Sequence, residues 1–195
     1  MALDMEPQAL WNISYGIFIV CSCFEGKAGG QIANTVFQVS AEPPKVAVAI
    51  NMKNYTHELI SSSGIIAVSI LDDETPMQLI GRFGFRTGRD FDKLEGVETM
   101  VGNLGCPCVT EHAVSVFEGR VSASVEVGTH TVFVADVVSG KMLNDRQPLT
   151  YAMYHAKKGK APENAPTYRG KTPEKETDYA GVEPPNAPTS RGGKS

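Results

Sequence analysis

From Ile13 to Val138 the chain is a succession of short stretches rich in Val, Ile and Thr, most of them closed by Gly, Pro or Asn. That punctuation predicts strands at about Ile13 to Cys23, Gly30 to Val39, Lys45 to Asn51, Ile65 to Leu71, His112 to Val127 and Thr131 to Val138. The last two are separated by a tight connection at Gly128, as antiparallel neighbours are. Two short helices are predicted between the strands. The first is Tyr55 to Ser62 with Asn54 as N-cap, and the second is Pro76 to Phe83 with Thr75 as N-cap and Pro76 at the first helical position. Met77, Ile80 and Phe83 fall on one face of the second. Many strands and few helices, with no internal repeat, imply a mainly β protein built as a closed or nearly closed antiparallel barrel.

The apolar pattern stops near Tyr154. Residues 156–195 contain no Leu, Ile, Phe, Trp or Cys and hold six of the twelve prolines, so they cannot build a core. The expected organisation is one domain over residues 1–158 and a Pro-rich, extended or disordered tail over residues 159–195. Residues 156–195 carry eight Lys or Arg against five Asp or Glu, a charge of +3, which leaves −7 on the remainder of a chain whose total is −4. An acidic body argues against nucleic acid or an anionic membrane as partner. The opening MALDMEPQALW has neither a basic nor an apolar targeting region, which predicts a cytoplasmic, soluble protein.

Four cysteines occur as two C-x-C pairs, Cys21 with Cys23 and Cys106 with Cys108. Without an export signal they predict reduced thiols rather than disulfides, and Cys21 and Cys23 share a strand face with Ile17 and Ile19 as small core side chains. C-x-C is not the usual spacing of a zinc or rubredoxin knuckle, so no metal site is expected.

Candidate binding residues fall in three places. Read as one strand, Gly30 to Val39 puts Asn34 and Gln38 on the face of Ile32 and Val36, with Thr35 opposite beside Phe37 and Val39. Solvated amides on an edge strand and a polar rim for a planar ligand both fit that mixed face. Next, Asn51, Lys53, Asn54, Tyr55 and Thr56 run from a strand end into a helix start, where backbone N–H groups, a hydroxyl and an ammonium converge. Such a place suits a phosphate as well as ordinary capping. Neither the Walker loop nor G-x-G-x-x-G occurs. Third, RFGFRTGRDFDK interleaves Arg82, Arg86 and Arg89 with Phe83, Phe85 and Phe91. It reads either as a stacking site for a flat anion or as a solvated loop pinned by buried Phe residues. His130 follows a turn at a strand start, where a side chain can face a site, whereas His57, His112 and His155 show no partner. Hydrolase signatures such as G-x-S-x-G and H-E-x-x-H are missing.

Five motifs in order, GQIANTVFQVSAEPP, AINMKNYTHE, FGFRTGRD, VGTHTVFV and PLTYAMYHAKKGKAP, resemble the flavin reductase family over about residues 8–168. Within it they are most similar to the flavin domain of the proteins called high molecular weight rubredoxins. The resemblance implies an FMN-binding split barrel, a homodimer, and hydride transfer from NADH or NADPH to the flavin. It implies further that Asn34, Thr35, Gln38 and Val39 border the flavin ring, while Asn51, Lys53, Tyr55 and Thr56 hold the ribityl chain and phosphate. Arg89, with Phe83 and Phe85, would complete the pocket, and His130 would stand where the nicotinamide arrives.

In such relatives a rubredoxin module can follow the segment APTYRG. Here that segment spans 165–170 and no cysteine comes after it. Electrons are therefore expected to pass to a separate acceptor such as a rubredoxin or a diiron flavoprotein, or to leave on a diffusing reduced flavin. Two other readings stay open: an FMN electron-transfer protein with little NAD(P)H oxidation of its own, and a split-barrel module for haem or another ligand. The GCPC stretch at 105–108 departs from the family's pattern.

Overall fold

The computed structural model describes residues 5–158, so the predicted tail lies outside the described residues. After a 3-10 turn at Pro7–Asn12 come β1 (Phe18–Phe24), β2 (Lys27–Ala33), β3 (Val36–Ala41), β4 (Pro44–Asn51), α1 (Tyr55–Ser63), β5 (Ile65–Leu71) and α2 (Met77–Gly84). A small hairpin, β6 (Thr99–Val101) and β7 (Pro107–Val109), then leads to the long pair β8 (Ala113–Val127) and β9 (His130–Met142), followed by α3 (Tyr151–Lys158).

Seven strands form one sheet in the order β2-β1-β5-β8-β9-β4-β3, with every pair antiparallel. Its outermost strands, β2 and β3, are consecutive in the chain with only Asn34 and Thr35 between them. Three Cα steps span at most about 11 Å, so the two edges must meet at that corner and the sheet curls on itself. The Thr35 carbonyl accepts from the Ala49 amide at 3.1 Å and ties the corner to β4. The single strand expected over Gly30 to Val39 is therefore two strands. β2 pairs with β1 and β3 with β4, and the chain has to change partners between them.

Two cores result. The concave face carries Val20, Val48, Ile50, Ile66, Val68, Phe133 and Ala135, plugged by Ile60 of α1. On the convex face Ile19, Cys21, Leu71 and Val116 pack under Leu79, Ile80 and Phe83 of α2, Val109 of β7 and Tyr154 of α3. Side chains alternate along a strand, so β1 feeds both cores, Ile19 and Cys21 to one and Val20 to the other. That two-sided burial is why FIVCSCF is apolar at every position but Ser22, whose hydroxyl donates to the Ile65 carbonyl at 2.8 Å.

Other boundaries differ from expectation. β1 starts at Phe18, five residues after Ile13. α2 starts at Met77, and the Thr75 hydroxyl donates to the Asp72 carbonyl at 2.6 Å instead of capping the helix. The β6–β7 hairpin was not foreseeable from periodicity, because three-residue strands contain barely one alternation. It is held by Glu118, whose buried carboxylate accepts from the amides of Asn103 (2.6 Å) and Leu104 (3.1 Å) and from the Ser139 hydroxyl (2.9 Å). The carboxylate fills the space a Cβ at Gly102 would need.

The expectation of four reduced thiols is corrected. Packing of β7 against β1 brings the two C-x-C pairs together, and Cys23 and Cys106 are bonded to each other across 83 residues of sequence. Cys21 and Cys108 remain free and buried. Burial first pushes Cys21 up to about 12, with Cys108 adding to it and Lys93 opposing, and Cys108 up to about 11, with Glu118 adding to it, so both stay protonated near neutrality. Among the described residues no group of His, Cys, Asp or Glu is arranged to hold a metal ion, and no helix is long and apolar enough to cross a membrane.

Candidate functional site

β4 ends at Asn51 and α1 begins at Tyr55, so the chain turns within three residues. Asn51 makes the turn: its Oδ1 accepts from the Lys53 amide at 2.9 Å and its carbonyl accepts from the Asn54 amide at 3.0 Å. Asn54 stands at the N-cap position with extended backbone, as expected, but its side chain does not cap α1. Its Nδ2 donates instead to Gln31 Oε1 on β2, at 3.0 Å. The first turn of α1 thus has no side-chain cap, and its N–H groups and dipole favour an anion there.

The register of β4 with β9 sets His130 directly opposite Asn51. Met52 donates its amide to the Thr129 carbonyl at 3.1 Å, and the Thr129 hydroxyl lies 2.8 Å from His130 Nδ1. Burial holds the imidazole below its ordinary value, so it is mostly neutral at pH 7. Asn34 and Thr35 join from the β2–β3 corner, where the Thr35 hydroxyl donates to Asn34 Oδ1 at 3.1 Å. Since Thr35 is bonded to Ala49, two residues before Asn51, the structure gathers Asn34, Thr35, Asn51, Lys53, Tyr55 and His130 around one corner of the barrel.

Not every candidate sits there. Gln38 is paired with Val46, five residues back along β4 from Asn51, which is about 17 Å by strand rise. Its amide donates to the Ser40 carbonyl at 3.0 Å, and Val39 stands at the adjoining bulge. Phe83 is 1% exposed and belongs to the convex core, where its ring lies against Gly30. Thr56 is buried beneath the first turn of α1, while Phe85, just past α2, is exposed.

Arg89 reaches the corner indirectly. Its guanidinium makes two contacts with Glu58, Nη1 to Oε2 at 2.8 Å and Nη2 to Oε1, and lies 5.6 Å from the centre of the Tyr55 ring. The hydrogen bond lowers the Glu58 carboxyl and raises Arg89, so each keeps the other charged. The Tyr55 ring is pressed between Gly29 and Gly88, where a Cβ would come within 3.2 and 3.0 Å of it. Arg82 and Arg86 serve the loop itself. Arg82 donates to the carbonyls of Lys93 (2.7 Å), Asp92 (3.3 Å) and Glu95, and both arginines stack over Phe91. These two therefore serve the loop, although of its three Phe residues only Phe83 is buried.

Two histidines without a visible partner in the sequence have one in the structure. His57 Nε2 lies 2.8 Å from the Thr131 hydroxyl, and the ring packs 5.3 Å from Phe133. Both line a groove of about 400 Å³ with Ser124 and Glu126. His112 Nδ1 lies 3.3 Å from Asp72. Separations of 74 and 40 residues hid both pairs, since nothing local in a sequence signals a contact that the topology makes.

A curled antiparallel sheet, plugged by a helix whose uncapped N-terminus meets strand-end amides, a lysine and a neutral imidazole, defines a split barrel suited to a polar, anionic ligand. The chain belongs to the flavin reductase family: the flavin reductase like domain matches residues 10–160. It is 49% identical over 165 residues to the ferric-chelate reductase (NAD(P)H) of Archaeoglobus fulgidus, covering 84% of this chain and 98% of that protein. It is 38% identical over 165 residues to the high molecular weight rubredoxin of Moorella thermoacetica, covering 84% of this chain and 72% of the other. Among solved structures the Streptomyces globisporus NADH:FAD oxidoreductase SgcE6 superposes with a TM-score of 0.68, covering 77% of this chain and 91% of that one at 20% identity, a likeness of fold.

Proposed function

We propose that the protein is an FMN-dependent NAD(P)H oxidoreductase that takes hydride from a reduced nicotinamide onto bound flavin and passes electrons to a separate acceptor. The observation that carries this reading is the convergence of Asn34, Thr35, Asn51, Lys53 and His130 on the uncapped N-terminus of α1. That donor set fits FMN. A terminal phosphate suits the helix N-terminus and the Lys53 ammonium, and the polar rim of a flat ring suits the Asn34 amide and Thr35 hydroxyl. FMN, when bound, supplies the hydride-accepting ring, so the chain needs no general base.

The residues then have separable tasks. Lys53 and the first turn of α1 hold the phosphate. Asn34 and Thr35 fix the ring by its edge, while Gln38 and Val39, farther along β3, lie outside this cradle. Arg89 positions Tyr55 and Glu58, and Phe83 supports β2 from the convex core. His130, uncharged, offers the nicotinamide a surface without repelling or trapping its ring. Homodimer formation fits the exposed apolar side chains of the β3 edge and the β8–β9 hairpin, Phe37 at 54%, Val39 at 47%, Val125 at 56% and Val127 at 51% exposure.

Rubredoxin and diiron flavoprotein acceptors follow from the resemblance to rubredoxin-linked flavin domains, and the name of the Archaeoglobus relative adds ferric chelates to the acceptors to test. The deciding experiment is anaerobic addition of NADH and then NADPH to purified protein while flavin absorbance is followed. Rapid bleaching supports the oxidoreductase and reveals the preferred nucleotide. A yellow protein that stays oxidised favours an electron carrier served by a partner. A colourless one that cannot take up FMN overturns the flavin reading.

A further inference from the structure

The Cys23–Cys106 disulfide takes no part in the proposed hydride chemistry. Cys23 pairs with Ala28 at one end of the β1–β2 ladder, whereas Ala33, which precedes the candidate flavin corner, pairs with Phe18 at the other. Five residues of strand separate them, about 16 Å. The bond is also unevenly covered. Cys106 is wholly buried, while Cys23 is partly exposed and lines a groove of about 430 Å³ with Phe24, Glu25, Lys27, Ala28 and Ser62. Gly26 and Gly105 complete the rim, and a Cβ at either would meet nothing within 4 Å.

We propose that Cys23–Cys106 is a thiol–disulfide exchange site that accepts low-molecular-weight thiols, above all those bearing a carboxylate and an ammonium. The groove is apolar at Phe24 and Ala28 and offers one cation, Lys27, and one anion, Glu25, to such a molecule. Exchange requires a thiolate to approach one sulfur along the axis of the bond with the other sulfur behind it. Of the two, only Cys23 is partly exposed and lines the groove, so attack falls on it with buried Cys106 as leaving group. In the first step the external thiolate forms a bond to Cys23 Sγ, the Cys23–Cys106 bond breaks, and Cys106 leaves with the electron pair and takes up a proton. A second external thiolate then attacks the first thiol's sulfur. It releases Cys23 as a thiolate together with one small disulfide, so two electrons have moved from two thiols to the protein. Cys21 and Cys108, buried beside the bond and held protonated, do not compete for Cys23.

Glu118 makes the exchange compatible with an intact fold. It holds the turn before Cys106 through Asn103 and Leu104 independently of the disulfide, so the β6–β7 hairpin keeps an anchor when the bond opens.

L-cysteine is the probe. Native, oxidised protein is incubated with it without oxygen, quenched in acid and mapped by peptide mass spectrometry. The expected result is one cysteine adduct on Cys23, with Cys106, Cys21 and Cys108 unmodified. The Ala28→Trp variant, whose indole would stand beside Cys23 on the neighbouring strand, should slow adduct formation roughly tenfold while keeping the melting temperature of the parent. An adduct on Cys106, reaction only in denaturant, four alkylatable thiols in oxidised protein after unfolding, or an unchanged rate in a folded Ala28→Trp variant would each overturn the proposal. FMN content and nicotinamide oxidation are read in the same samples, and they bear on the flavin reading alone.

Discussion

Two polar clusters in this molecule use similar groups to opposite ends. Asp72, with a side chain 0% exposed, accepts from the Glu74 amide at 3.1 Å, from Arg146 at 2.9 Å and from the Thr75 hydroxyl at 3.2 Å, with His112 at 3.3 Å. It binds the loop before α2 to segments forty and seventy-four residues away. At the α1 corner the side-chain bonds of Asn34 and Asn51 are instead between near neighbours, Thr35 to Asn34 and Lys53 to Asn51. Long-range placement of these two is left to backbone ladders, and the Asn54 to Gln31 bond ties the start of α1 to β2. A polar group closed by distant partners cannot leave them without exposing buried donors and acceptors, whereas one closed only locally can turn to a ligand at small cost. The first cluster fixes the fold and the second keeps groups available to bind.

That contrast can be broken most forcefully at Asp72. Asp72→Ala removes the acceptor shared by Arg146, His112, Thr75 and Glu74, and should cost about 3 kcal/mol of stability, read as a lower urea midpoint. FMN uptake per folded molecule should not change. Equal loss of both would show that the two clusters are one cooperative unit. The converse test is Lys53→Ala combined with Arg89→Ala, which should weaken FMN binding roughly tenfold to a hundredfold with the urea midpoint unmoved. Arg89 is an exposed partner of Glu58, so its loss costs the fold little. An unaltered FMN affinity would show that the phosphate lies elsewhere.

The sequence shows the second cluster better than the first, for a physical reason. Asn51, Lys53, Asn54 and Tyr55 fall within five successive residues, so strand end, N-cap and helix start are all visible in one short stretch. His130 could be singled out because a turn precedes it, although its place opposite Asn51 depends on the β4–β9 register. Asp72, His112 and Arg146 meet only because the loop after β9 returns beside β5, and no local pattern marks such a contact. The same holds for Cys23 and Cys106. Their spacing said nothing of the β6–β7 hairpin, whose packing against β1 brings the sulfurs together. The closed or nearly closed barrel was legible from strand punctuation, but the corner at which its two edges meet was not. Asn34 and Thr35 read as part of a continuous strand because nothing in their residue types announces a change of pairing partner.

A finer separation of the clusters comes from His130. On the proposed reading, His130→Ala should leave FMN content unchanged and raise the KM for the nicotinamide several-fold, roughly the effect of one lost contact surface. A fall in FMN content instead would move His130 from the nicotinamide side to the flavin's own cradle.

Acid titration of stability distinguishes the clusters with the smallest expected effect. Burial lowers the His130 imidazole in the folded protein, so as pH falls below about 6.5 the unfolded chain takes the proton first and stability declines. Above that value His130 contributes nothing to the slope. Burial works against ionisation of Asp72, but hydrogen bonds from Arg146, His112 and Thr75 outweigh it and hold the carboxyl below its ordinary range. Its contribution is therefore fully present above about pH 4 and is lost as pH falls further, through the folded value. The two groups lose their effect in separate windows, the ligand corner first and the structural hub later. His130→Gln should flatten the upper window and leave the lower one, measured as urea midpoints from pH 7.5 to 3. An upper window that survives His130→Gln would assign that proton uptake to another group and remove the electrostatic argument for a neutral imidazole at the corner.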